Sequence, residues 1–122
     1  MNESEYRLAY RLERSAQFIK DLELIFDHLI ESYQSFGEPL EDACQHAAKR
    51  ILKLEESFEQ IAAMPHQGTL RPDLLPGLRN VTKDRAIIYF DVDDKVEQVR
   101  LLAVFYGGQD HQRHMLKRML QI

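Results

Sequence analysis

Apolar residues recur with a period that changes in blocks along this 122-residue chain. From Glu5 to Leu12 they alternate, with Tyr6, Leu8, Tyr10 and Leu12 on one side and Glu5, Arg7 and Arg11 on the other. That period of two predicts a strand with one buried face. After Ser15, whose hydroxyl suits a helix N-cap, the period becomes helical: Phe18, Leu22, Ile25, Leu29 and Tyr33 fall three or four apart, widened by Ile19, Phe26 and Ile30. The helix is predicted over about 16–35, with Gly37 ending it. A second helix opens at Pro39, in its first turn. It carries Leu40, Ala43, Ala47, Ile51, Leu54, Phe58 and Ile61 on one stripe and stops at Pro65. The small residues Ala43, Cys44, Ala47 and Ala48 are expected to admit the first helix closely, in an antiparallel hairpin with a short connection.

Pro65 to Pro76 has no periodicity and reads as a loop. Val, Ile, Tyr and Phe then crowd three runs, at about 78–82, 85–92 and 97–106, separated by turn formers. Helical spacing returns after Gln109, with Met115, Leu116, Met119 and Leu120 apolar and Arg113, Lys117 and Arg118 basic. The predicted fold is α+β: an N-terminal strand, an antiparallel helix hairpin on one face of a four-stranded antiparallel sheet, and a short C-terminal helix. The other sheet face would be left partly open, with Arg79, Arg85 and Tyr89 displayed on it.

The length sets a single domain spanning 1–122 with one core, and 44% apolar with 30% charged residues is ordinary for a globular chain. Charge is unevenly placed: seven basic against thirteen acidic residues up to Met64, then nine against seven. With net charge −4 there is no global basic excess, which argues against polyanion binding as the main activity. The longest apolar run, Leu101 to Tyr106, is too short to span a bilayer. One cysteine, Cys44, precludes an internal disulfide, and the polar N-terminus shows no signal peptide; a cytoplasmic location is expected. His111 and His114 are spaced for one helix face, but without companion ligands no metal or other cofactor is expected. No phosphate-binding glycine loop or nucleophile elbow is present.

Four motifs in order resemble the ParE branch of the RelE/ParE toxin superfamily, the toxic halves of bacterial type II toxin–antitoxin pairs. They are Met64-Pro65 with Gly68, Leu75-Pro76-Gly77-Leu78-Arg79, Ile87-Ile88-Tyr89-Phe90 with Val92, and Val104 through Asp110. The resemblance covers essentially residues 5–110. It implies growth inhibition, either by ParE-like binding to DNA gyrase or by RelE-like, ribosome-dependent cleavage of messenger RNA. It also implies neutralisation by a cognate antitoxin in a hetero-oligomer away from membranes. The family commonly has an arginine just after the glycine of the last strand; this chain has Gln109 there, and the position of the RelE-type tyrosine falls near Met115.

A gyrase-binding inhibitor without chemistry of its own is therefore the expected function, with an endoribonuclease or a degenerate, non-toxic antitoxin-binding member as alternatives. The target-binding surface is expected to comprise Arg79, Arg85, Tyr89, Tyr106, His111 and Arg113. Were the chain a ribonuclease, Arg79, Arg85, Tyr89 and His111 would supply charge and protons. Leu22, Ile25, Leu54 and Phe58 are expected to meet the antitoxin along the hairpin.

Overall fold

The computed structural model describes residues 9–107 and 110–120. Its elements are β1 (Arg11–Arg14), α1 (Ala16–Ser35), α2 (Leu40–Ala63), β2 (Thr69–Leu70), β3 (Arg79–Lys83), β4 (Ala86–Asp93), β5 (Gln98–Tyr106) and α3 (His111–Leu120). Tyr6 and Leu8, expected to lead the first strand, lie outside the described residues, as does Gln109.

Local chemistry sets the helix ends. Ser15 is extended, and its Oγ accepts the Phe18 N–H, filling one of the donors a helix start leaves unpaired. Phe36 caps the far end of α1, and Gly37 follows at φ +96, a conformation that costs a residue without Cβ little. Pro39 is the N-cap of α2 rather than part of its first turn, and Glu41 and Asp42 face the positive end of the helix dipole. Ala43 and Ala47 are fully buried, whereas Cys44 is half-buried and Ala48 exposed.

The sheet has five strands in the order β1-β5-β4-β3-β2, not four, and it is mixed. β1 runs parallel to β5, Arg11 to Arg14 opposite Gln98 to Leu101, and not antiparallel as expected; alternation along a strand carries no information about its neighbour's direction. The extra strand comes from the segment read as loop: Thr69 and Leu70 pair with Asn80 and Arg79, over a length too short to show periodicity. Just before it, Gly68 sits at φ +83, where an added Cβ would lie 2.4 Å from the Asn80 carbonyl oxygen. Gly68→Ala is expected to cost about 1–3 kcal/mol through strain at the β2–β3 edge. An unchanged urea midpoint would contradict that.

Alternation divides the sheet between two apolar clusters. Ile88, Phe90, Val99, Leu101 and Val104 meet Phe18, Ile25, Leu29, Leu54, Phe58 and Ile61 of the hairpin. On the other face, Leu78, Tyr89, Ala103 and Phe105 pack with Met115 of α3, flanked by Leu74, Ile87, Leu102 and Met119. The face expected to be open is thus covered by the chain's own last helix. A bulge contributes: Tyr89 pairs with Ala103 and Phe90 with Leu101, so Leu102 is an extra residue and both Leu102 and Ala103 join the α3 side. Among the described residues no helix is long and apolar enough to cross a membrane.

Candidate functional site

The register of β3 on β4 separates residues expected to act together. Asn80, not Arg79, is the cross-strand neighbour of Tyr89; Arg79 pairs with Phe90. Since side chains alternate between faces, Arg79, Val81 and Lys83 belong to the hairpin side. Val81 joins the hairpin core, Lys83 Nζ donates to Gln60 Oε1 of α2 at 3.2 Å, and Arg79 Nη1 donates to the His66 carbonyl at 2.9 Å. Arg79 and Tyr89 therefore do not share a face. Arg79 instead ties the loop after α2 to the edge of the sheet.

Tyr89 is fully buried beneath α3 and so is not a displayed contact residue. Its ring stands edge-on to Phe105 at 6.1 Å, and its hydroxyl lies 2.7 Å from His111 Nδ1. Tyr89 also interacts with Arg71, which donates to both Asp73 carboxylate oxygens at 3.0 and 2.7 Å. Asp73 chiefly, and Tyr89 in smaller part, hold the Arg71 guanidinium charged. Burial depresses the His111 pKa, the Arg71 charge depresses it further, and Asp110 opposes both. The result is a polar chain, Asp73–Arg71–Tyr89–His111, with a histidine biased towards its neutral form. Arg71 and Asp73 carry no sequence signal, lying in an aperiodic segment whose recognisable features are its prolines and Gly68.

α3 has further ties. Arg118 donates to both oxygens of Asp21 at 2.9 and 2.7 Å, and lies 4.8 Å from the Phe105 ring centroid. Asp21 is buried in α1 and also accepts the Val104 N–H at 3.1 Å, on the stretch of β5 beyond the end of β1. His114 stacks on Phe105 at 5.6 Å, while His111 turns to Tyr89. The two histidines thus serve different aromatic partners. Among the described residues no group of three or more His, Cys, Asp and Glu side chains could hold a metal.

A second locus lies at the β3–β4 turn, where Asp84 and Arg85 occupy φ +48 and +67. Such left-handed backbone in residues with a Cβ stores strain, and it holds the Arg85 side chain out at the exposed tip. Nearby, the Tyr106 hydroxyl accepts from Arg50 Nη2 at 2.6 Å and Nε at 3.2 Å, and Arg50 reaches Asp84 at 3.6 Å. Tyr106 is thereby half-buried against α2, and Arg50, absent from the expected set, is what positions it. Arg113 is exposed on the outer side of α3, near Leu116 (48% exposed) and Leu120 (79%) in sequence.

Three of the four residues expected to meet an antitoxin are core. Leu54 and Phe58 are 0% exposed and Ile25 5%, because the apolar stripe of the hairpin is the surface that packs on the sheet. Leu22 alone opens outward, onto a groove of about 430 Å³ shared with Ile19, Phe26 and Ile51 and rimmed by Arg14, Glu23 and Asp27.

No protein-family model and no curated protein matches the sequence. Among solved structures, a chain of the chromosomal ParDE TA system from P. aeruginosa superposes with TM-score 0.61 at 20% identity, covering 81% of this chain and 97% of that one. A chain of the toxin–antitoxin complex RelBE2 from Mycobacterium tuberculosis gives 0.50 at 15%, over 81% and 99%. The isolated E. coli RelE toxin gives 0.50 at 14%, over 91% and 99%. At these identities the likeness establishes a fold shared with those three chains.

Proposed function

From this shared fold we propose that the chain is the toxin of a type II toxin–antitoxin pair, and that it acts as ParE-like toxins do, by binding DNA gyrase. The observation that carries the second step is the seating of α3. Met115 fills the sheet face on which nucleic-acid chemistry would otherwise be expected, Tyr89 is sealed under it, and Arg79 points to the opposite side. What remains accessible is a contact surface: Arg85 on its strained tip, and the outer side of α3 with Arg113, Lys117, Leu116 and Leu120. A gyrase supercoiling assay tests the reading. Supercoiling should fall with added toxin and recover in Arg85→Ala and Arg113→Ala, whereas full supercoiling at large toxin excess would overturn it.

The antitoxin is proposed to lay an amphipathic segment in the groove of Ile19, Leu22, Phe26 and Ile51, its apolar residues inward and a basic residue towards Glu23 or Asp27. The polar chain through Arg71, Tyr89 and His111 favours a second reading, a ribosome-dependent endoribonuclease whose site opens when α3 moves. Ribosome-programmed mRNA cleavage that is lost in His111→Ala would establish it over gyrase binding.

A further inference from the structure

We infer that α3 is a pH-gated plug: protonation of His111 reverses its hydrogen bond with Tyr89 and lifts the helix off the apolar sheet face. In the Nε2–H tautomer of neutral His111, Nδ1 accepts the Tyr89 hydroxyl proton at 2.7 Å, which leaves the phenol oxygen to accept from Arg71. Protonated, Nδ1–H must donate. The Tyr89 oxygen then faces two cations, Arg71 and His111, and its own proton loses its acceptor.

The charges around the imidazole do not offset this. From the loop before β3 come Arg71 and Asp73, but Asp73 is engaged by both arms of Arg71. From the start of α3 comes Asp110, which is exposed and spends one carboxylate oxygen capping the Arg113 N–H at 3.2 Å. β4 contributes only the Tyr89 hydroxyl. On α3 itself, His114 is stacked on Phe105 and Arg118 is paired with Asp21 of α1, so neither moves to compensate. Desolvation is the largest penalty on the cation and the Arg71 charge adds to it, with Asp110 opposing both, so the His111 pKa is depressed.

The sign follows from linkage. The seated helix holds fewer protons than the released one, so seating is complete above the ordinary histidine value of about 6.5 and weakens as pH falls below it. One proton sets an upper limit of about tenfold in the released-to-seated ratio per pH unit. At ten residues α3 is too short to stay helical alone in water. Release therefore unfolds it and exposes Leu78, Tyr89, Ala103 and Phe105 together. This inference rests on the contacts of α3 and not on the identity of the toxin's target.

NMR-detected hydrogen exchange from about pH 7.5 to about pH 5 tests it on the intact chain, as protection factors corrected for intrinsic exchange. Protection of the α3 amides should fall on acidification with the same midpoint as the His111 imidazole resonances, while β4 and α2 keep theirs. In His111→Gln, which keeps a neutral acceptor, α3 protection should be flat with pH; in His114→Gln the wild-type transition should persist. Constant α3 protection in the wild type, or an undiminished transition in His111→Gln, would overturn the inference. Independently of any variant, an α3 midpoint distinct from that of His111 would do the same.

Discussion

Phe58→Ala is expected to lower the unfolding free energy by about 3–5 kcal/mol, read as a fall in urea midpoint with little change in slope. The ring is fully buried, meets Phe18 edge-on at 5.0 Å, and lies under the Arg14 guanidinium at 5.4 Å. Truncation removes that apolar area from the core and leaves a cavity that two helices and a sheet cannot easily close. The transfer and cavity contributions act together, which places the expected cost at the upper end of core substitutions. A loss below about 1 kcal/mol would show that the ring is not a core residue. The same experiment separates packing from recognition. Binding of the proposed antitoxin by Phe58→Ala should fall only as the folded fraction falls, whereas Leu22→Glu, at the lip of the outer groove, should weaken binding by more than its loss of folded protein.

Asp21→Ala is the second large effect, expected at about 2–4 kcal/mol. Removing the carboxylate strands three donors at once: the bidentate guanidinium of Arg118, the Gln17 side-chain amide at 3.1 Å, and the Val104 N–H on the stretch of β5 beyond the end of β1. Breaking a fully buried pair typically costs about 3–5 kcal/mol. Here the Arg118 side chain is 29% exposed and can regain water, so the lower figure is the better expectation. The buried Val104 N–H cannot, and an unmade backbone hydrogen bond costs about 1–3 kcal/mol by itself. Asp21→Asn, which keeps one acceptor, should recover part of the loss. Chemical denaturation measures the total, and hydrogen exchange locates it: protection should drop first in α3 and at Val104. Stability within about 0.5 kcal/mol of wild type would mean that Asp21 holds neither element.

Much of the architecture was legible from residue spacing. The helical stripes of Phe18 to Tyr33 and of Leu40 to Ile61, the Ser15 cap and the three long strands all follow from local pattern and stereochemistry, and the elements stand within a residue or two of the expected positions. The candidate site was much less legible. Its members come from a loop (Arg71, Asp73), two strands (Tyr89, Phe105) and a terminal helix (His111, Arg118), and no local rule links a loop arginine to a tyrosine eighteen positions on. The expectation that Arg79 and Tyr89 share a face failed for the same reason. Alternation assigns each strand two faces but not which face of one strand continues which face of the next.

Acting alone, the order of residues determined where this chain coils, where it extends and which side of each segment shuns water. Those preferences are short-range, set by backbone sterics and by the 3.6- and 2-residue repeats. Only the tertiary structure decided that Leu54 and Phe58 face inward, that a five-residue register turns Arg79 away from Tyr89, and that α3 closes over His111. Those outcomes depend on strand pairing and on burial summed over distant segments. Contacts 22 to 97 residues apart in the chain, such as Tyr89 with His111 and Asp21 with Arg118, exist only once the whole is packed.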